Sequence, residues 1–272
     1  MATIAVLSGE HDHFHKRSFL LQRLFPYWIE AGHFVVVHTG PKEPPPADIA
    51  ILHVDLTVVP QEYMKWLSRY PKVVNGATGD LRRRRYSRLL VTRDAAWDGP
   101  VIVKTDANCG GLPELQWERE RARLAGRPPL PTRHIPGPYP IFDSKARVPA
   151  AVWDDPGLVI ERFLPERDGD DYALRVYIFL GDHERCSRVI GPDPIVKAGG
   201  SQKRTLIPVP DELREARRRL GFDYGKLDFV VHDGAPILLD ANRTPTFPAG
   251  ALSEAVAAGN RELAKGIAAF GE

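Results

Sequence analysis

The stretch Gly221–Pro248, GFDYGKLDFVVHDGAPILLDANRTPTFP, restricts the fold of this chain more than any other. Lys226 to His232 is a mostly apolar run with one carboxylate, Asp228, near its start. His232-Asp233-Gly234 supplies turn chemistry, because Asp-Gly accepts positive φ at little cost. Pro236 to Leu239 is a second apolar run and leads into Asp240-Ala241-Asn242. The pattern predicts a β-hairpin with carboxylates on both arms. Asp240 and Asn242 are two residues apart, so an extended backbone turns both side chains to one face. Asp228 can stand opposite them on the partner arm. Two carboxylates and an amide oxygen are hard donors, the set Mg²⁺ takes when phosphates and water complete its octahedron. An Asp inside an apolar strand is costly to bury without a partner, which favours a metal. The competing reading, solvated acids at strand ends with Asn242 capping a turn, is as common for a lone D-x-N.

At 272 residues the chain exceeds one compact core and predicts one large or two to three small lobes. Apolar content of 43% and charged content of 26% are those of a globular protein. A formal charge of +2 gives no argument for a nucleic-acid partner, although basic residues are locally dense at Arg82–Arg85 and at Arg214, Arg217, Arg218 and Arg219. Two cysteines, Cys109 and Cys186, cannot build a disulfide framework and point to a reducing compartment. No apolar run approaches the roughly 20 residues that span a bilayer, and the first residues lack the pattern of a secretory signal. The expectation is a cytoplasmic, enzyme-sized protein with no membrane partner.

Strands at residues 4–7, 34–37, 49–52 and 72–74, alternating with helices over about 16–31 and 61–69, predict a Rossmann-like parallel α/β domain over residues 1–76. Pro26 should kink the first helix. Ligands of such sheets sit at the carboxyl ends of the strands, which places Ser8, Gly9 and the series His11, His13, His15 beside that crevice. The three histidines are read as exposed loop residues rather than a metal site. Residues 77–272 form the remainder, with a small lobe over about 80–165 and a C-terminal lobe over about 166–272. The arginines of Arg82–Arg85 are read as a solvated helix face, with one of them or Arg88 able to turn toward phosphate.

Pro100–Lys104, PVIVK, is an apolar strand ending in a lysine and followed by a small-residue loop. Lys104 would supply charge to phosphates, while Asn108, Gly110 and Gly111 would cover them and let backbone N–H groups approach. The spacing is not that of a Walker P-loop, and a plain hairpin loop fits as well. Pro113–Ala125 predicts a helix, and the Pro-rich residues 126–140 a surface excursion that packs or acts as a lid. In LVIERFLPE, from Leu158 to Glu166, an extended backbone can read an adenine edge, and Glu166 can take ribose hydroxyls. Arg175, inside the next strand, needs a partner: a phosphate or substrate carboxylate, or a structural ion pair with Asp170 or Glu161. Lys197, Lys203 and Arg204 sit in a Gly-rich basic loop that could close over phosphate or an acidic substrate.

Together, PVIVK with its loop, LVIERFLPE, Arg175 and Asp228…Asp240-x-Asn242 resemble the ATP-grasp superfamily, over about residues 80–250 and in the family's order. The spacing of the acids is similar to that of glutathione-synthetase-like and glutamate-ligase-like members. The resemblance implies an ATP-grasp fold of mixed α/β and α+β class, preceded by the Rossmann-like domain. It implies that Lys104 contacts the α- and β-phosphates and that Glu161, Phe163 and Leu164 form the adenine hinge. Glu166 would bind ribose, and Arg175 would steady the transferred phosphoryl or acyl-phosphate. Asp228, Asp240 and Asn242 would hold Mg²⁺, with two ions expected and Mn²⁺ able to substitute. Two departures stand out: Asp240 occupies a position where Glu is commonest, and the family's second phosphate-binding lysine has no match, arginines 82–88 filling that region.

The activity implied is ADP-forming carboxylate–amine ligation through an acyl-phosphate, on a small-molecule or peptide carboxylate and an amine. An ATP-grasp kinase acting on a hydroxyl of a small polar substrate is the alternative. A nucleotide-binding regulatory module and a sugar-nucleotide glycosyltransferase rank below both. The reading allows a homodimer.

Overall fold

The computed structural model describes residues 1–197 and 203–271. The first strand, β1 (Thr3–Ser8), is apolar and buried almost throughout, as a strand covered on both faces must be. α1 (Phe25–Glu30), β2 (Phe34–Thr39), β3 (Ile49–His53), α2 (Gln61–Met64) and β4 (Lys72–Val74) follow, and the strands form a parallel sheet in the order β2-β1-β3-β4. The helix expected over residues 16–31 is instead a 3₁₀ turn, Leu21–Arg23, and then α1. Pro26 stands in the first turn of α1, where its missing N–H has no helical partner to lose, so it starts the helix rather than kinking it. Of the apolar residues spaced for one face of that helix, Leu20, Leu21, Leu24 and Trp28 are buried with Ile4, Val6 and Ile51, whereas Ile29 is 60% exposed.

After α3 (Arg83–Tyr86), a three-stranded antiparallel sheet is built from β5 (Val101–Thr105), β6 (Ile141–Phe142) and β7 (Leu158–Arg162), in the order β6-β5-β7. α4 (Leu112–Leu124) and α5 (Ala150–Trp153) lie between these strands in the chain. The third sheet contains β8 (Glu166–Asp168), β9 (Asp171–Leu180), β10 (His183–Gly191), β11 (Lys203–Ile207), β12 (Tyr224–His232) and β13 (Ala235–Asn242). Its order is β11-β10-β9-β12-β13, with β8 paired to β9. α6 (Asp211–Arg219) precedes β12, and α7 (Glu254–Ala264) is the last α-helix. No described helix is long and apolar enough to cross a membrane.

The third sheet has two unlike faces. One buries Tyr177, Phe179, Cys186, Leu227 and Phe229 against Leu213 of α6 and Phe222, each large side chain contributing about 1.5–3 kcal/mol. The other carries Leu174, Val176 and Val189, with Ile178, Val196 and Leu239 packed at its margin. Directly paired residues share a face and neighbours alternate. Asp228 pairs with Val176, which puts it on this second face.

Two buried polar side chains fasten the first sheet to the third. The Asn75 amide accepts from the Asp223 and Tyr224 N–H groups and donates to Tyr224 O, at 2.8–3.0 Å. Arg243, just past β13, donates to the carbonyls of Val54, Leu56 and Thr78.

His53, at the end of β3, is fully buried, and neither ring nitrogen has a hydrogen-bond partner among the described residues. Its ring meets Phe14 and Phe19 edge-on at 5.2 and 4.8 Å, and burial pushes its pKa down to about 3. An unfolded histidine takes its proton near 6.5, so between these values the unfolded state holds the extra proton and stability rises with pH. Asp55 has the opposite sign: burial, against Arg17 and Thr244, lifts it to about 6, so the folded state holds its extra proton between about 4 and 6. The two slopes cancel across that window. A His53→Leu variant removes one of them. Its unfolding free energy relative to wild type, from urea titrations at pH 6.5 and 4.5, should improve by about 1.4 kcal/mol per unit of acidification. An unchanged difference would show that His53 is not held neutral.

Candidate active site

Strand register brings the acids together. Asp228 on β12 pairs directly with Asp240 on β13, and Lys226 pairs with Asn242. Between Asp240 and Leu238 the register slips by one, so Leu239 is an extra residue opposite Phe229. Such a bulge re-aims neighbouring side chains and leaves a carbonyl outside the ladder. Arg83 of α3 takes that carbonyl: its Nη1 donates to Leu239 O at 2.9 Å, and its Nη2 donates to Asp240 Oδ1 at 2.8 Å. Arg83 is only 3% exposed. The arginine run is therefore not a uniformly solvated face. One member is buried, while Arg84 pairs with Asp106, and Arg82 and Arg85 with Asp80.

Lys226 is two residues before Asp228, so both point the same way. Its Nζ donates to Asp228 Oδ2 at 2.7 Å. Burial raises the Asp228 carboxyl above the usual range; Lys226 opposes the rise and Asp240 adds to it. Burial works against the Lys226 charge, and Asp228 outweighs it, holding the ammonium above its ordinary value. On the same face, Arg204 of β11 donates to Ser187 Oγ at 2.7 Å and feels the Asp228 charge.

Lys104 and Glu161 are diagonal neighbours on β5 and β7, since Ile102 pairs with Glu161. Their ion pair is 2.7 Å long and almost fully buried. Burial works against the Glu161 charge, but Lys104 and Arg83 outweigh it and hold the carboxyl below its usual range. Burial and Arg83 push Lys104 down, as expected where two cations share one carboxylate. Counting Lys104, Arg83, Lys226 and Arg204 against Glu161, Asp228 and Asp240, cations exceed carboxylates in this cluster.

Beyond the Glu161 oxygens, which have the Lys104 ion pair but no further hydrogen bond, the buried polar atoms here without a hydrogen-bond partner among the described residues are Arg83 Nε, Asn108 Oδ1 and Asp228 Oδ1. A donor without an acceptor suits an anion, and two oxygens without donors suit a cation. The donor set of two carboxylates and an amide oxygen fits a hard divalent ion, although Asn242 Oδ1 also accepts from Thr244 N at 2.8 Å. Among the described residues, no group of three or more His, Cys, Asp or Glu side chains is arranged to hold a metal, so Asn242 would have to complete the set.

The loop after β5 is tied down rather than draped. Asn108 donates to Ala241 O at 2.8 Å, and its N–H donates to Thr57 Oγ1 at 2.8 Å. Gly110 and Gly111 have φ of 66° and 77°, and a Cβ on either would press into the Ile135 or Arg133 carbonyl. The Pro-rich excursion thus lies on this loop: Ile135 N and His134 Nδ1 both meet Gly110 O. Close backbone packing accounts for these glycines.

Other expected site residues lie elsewhere. Arg175 pairs with Phe229 and Arg188, so it sits on the α6 face, opposite to Asp228. There it is bidentate to Glu166 at 2.9 and 3.0 Å, and Arg188 joins at 3.3 Å. Glu166 Oε2 also accepts from Val231 N at 2.7 Å. This geometry brings neither Arg175, expected on the transferred phosphoryl, nor Glu166, expected on ribose, to the Asp228 face: strand alternation turns Arg175 to the α6 face, where it pairs with Glu166. The structural ion pair is real, with Glu166 in place of Asp170 or Glu161. Phe163 and Leu164 are half-buried between β7 and β8, and the Phe163 N–H is committed to Pro100 O at 3.0 Å. Lys197 is exposed, and residues 198–202 of the basic loop lie outside the described residues. His11 is buried edge-on to Trp117 at 5.1 Å, whereas His13 and His15 are exposed.

Sequence reasoning missed Lys226 and left Arg83 undistinguished among Arg82–Arg85 and Arg88. Period-two spacing from Asp228 could have found Lys226; nothing within four consecutive arginines singles out Arg83.

No family model and no curated protein sequence matches the chain. Among solved structures, it is similar to a RimK domain ATP-grasp protein from Sphaerobacter thermophilus, at 16% identity and a TM-score of 0.52 over 99% of both chains. It is also similar to a D-alanine–D-alanine ligase from Bacillus anthracis, at 15% identity and a TM-score of 0.48, over 97% of this chain and 95% of that one. The first of these, which spans essentially all three sheets, carries the conclusion. This chain has the ATP-grasp fold.

Proposed function

We propose that the chain is an ATP- and Mg²⁺-dependent ligase that joins a small or peptide carboxylate to an amine through an acyl-phosphate. The observation supporting this most strongly is the Asp228–Asp240 pair, opposed across β12 and β13 and surrounded by Lys226, Arg83 and, through Glu161, Lys104. A polyphosphate is the anion such a cluster suits, and two carboxylates facing it suit the cation that accompanies it. Asp228, Asp240 and Asn242 would hold Mg²⁺, which neutralises phosphate charge when bound. Lys104 and Arg83 would take phosphate oxygens, with Asn108 Oδ1 available to a donor. Lys226, on the face of the acids, is better placed than Arg175 to steady the transferred phosphoryl. Leu174, Val176 and Val189 offer an apolar floor for a base. Residues 1–76 would act as a unit closing one side of the cleft, with Arg243 and Asn75 fixing its position.

The chemistry asked of the chain is positioning and charge neutralisation. Calorimetry should give binding heat with ATP only when Mg²⁺ is present. A screen over amino acids and small peptides should then find one pair that releases ADP and free phosphate. ADP release with a stable phosphorylated product would replace the ligase by a kinase. Absence of nucleotide heat would remove both.

A further inference from the structure

Each carboxylate of the proposed metal pair already has a counter-ion from the chain itself. Lys226 Nζ lies 2.7 Å from Asp228 Oδ2, and Arg83 Nη2 lies 2.8 Å from Asp240 Oδ1. Both cations are anchored near the acids. Lys226 is on the same strand and face as Asp228, and Arg83 is buried and also held by the Leu239 carbonyl. Arg204 adds positive charge on the same side. A divalent ion approaching alone meets an ammonium and a guanidinium beside its ligands, and their charge opposes it even at the Asp228 oxygen that has no partner among the described residues.

We propose that Lys226 and Arg83 act as built-in competitors for the metal, so that the site takes a divalent cation only together with a polyphosphate. The inference rests on the metal–nucleotide reading of these residues and adds an order to it. A phosphate chain lying over the pair gives both cations a further acceptor. Lys226 moves from Asp228 to a phosphate oxygen, and the freed carboxylate turns to the metal. Arg83 Nε, which lacks a partner among the described residues, offers a donor to the same anion without leaving Asp240. No net charge is stranded in the exchange, whereas metal alone would leave Lys226 buried among positive charges. By linkage, the metal must improve polyphosphate binding by the factor by which polyphosphate improves metal binding.

The test needs neither carboxylate nor amine substrate. Free Mn²⁺ is followed by electron paramagnetic resonance during titration of the full chain, with and without a non-hydrolysable ATP analogue. Wild type should bind Mn²⁺ weakly alone and tightly with the analogue. Lys226→Met, which keeps the length of the stem, should bind Mn²⁺ alone about 10- to 100-fold more tightly than wild type, within the usual range of coupling between sites. Lys226→Met/Asp228→Asn should lose that gain, which ties it to the pair. Circular dichroism and the urea midpoint confirm that each variant folds, and Lys226→Gln serves as a second substitution. Equal Mn²⁺ affinity in wild type and both Lys226 variants would overturn the competition while leaving the metal–nucleotide site standing. Absence of Mn²⁺ binding with the analogue in every protein would overturn the site, and the competition with it.

Discussion

Replacing Asp240 by Asn is expected to lower ATP turnover about a thousandfold and to destabilise the fold by about 2 kcal/mol. The two losses have different origins. Turnover falls because an amide donates where a carboxylate oxygen must face positive charge. Stability falls because Arg83, 3% exposed, loses its counter-ion. Breaking a fully buried pair costs about 3–5 kcal/mol; the Asp240 side chain is 22% exposed, which reduces the figure. A second substitution separates the roles. Arg83→Met in the Asp240→Asn background removes the stranded charge and should recover most of the stability without recovering turnover. Steady-state ADP release and urea midpoints on the four proteins complete the cycle. Recovery of turnover in the double variant would reduce Asp240 to a counter-ion.

Arg243→Met is expected to cost about 4 kcal/mol, lowering the melting temperature by about 10 °C. Arg243 is 2% exposed, and its guanidinium satisfies the Val54, Leu56 and Thr78 carbonyls. Each buried acceptor left unpaired costs about 1–3 kcal/mol, and methionine restores only the volume. Burial lowers the Arg243 pKa to about 10, with Asp55 and Asp12 nearby opposing the fall, so the guanidinium stays charged at neutral pH. Lysine should be nearly as damaging as methionine, because one ammonium cannot span the directions a planar fork reaches. Differential scanning calorimetry of both variants checks this. A lysine variant as stable as wild type would show that charge, not the fork, fastens the strand end to the first sheet.

The hairpin was legible because its signals are local. Turn chemistry at Asp233-Gly234 and period-two spacing mark the two arms and put Asp240 and Asn242 on one face, but the turn's own register would set Asp228 against Leu239, and only the slip at Leu239 brings Asp240 opposite Asp228. The parallel sheet was legible from short apolar runs bounded by turns. What spacing could not give was side-chain direction across strands far apart in sequence. Arg175 is two residues from Tyr177 and shares its face, so its position was decided by which face of β9 meets α6. No run of residues near Arg175 states that. The same gap hid Glu166 as its partner, nine positions away on β8. Arg83 was hidden for another reason: burial of one arginine in four depends on the bulge carbonyl of Leu239, a feature of a strand more than 150 residues later. Gly110 and Gly111 carry a compositional signal that phosphate cover and tight backbone packing both explain, and only the carbonyls of residues 133 and 135 distinguish them.

Crystals grown with Mn²⁺ and a non-hydrolysable ATP analogue, with data collected at the manganese edge, address the proposed metal pair itself. The arrangement predicts an anomalous peak between the Asp228 and Asp240 carboxylates, with the phosphates facing Lys104, Arg83 and Lys226. Nucleotide bound with its phosphates elsewhere, or manganese ligated by neither aspartate, would contradict it.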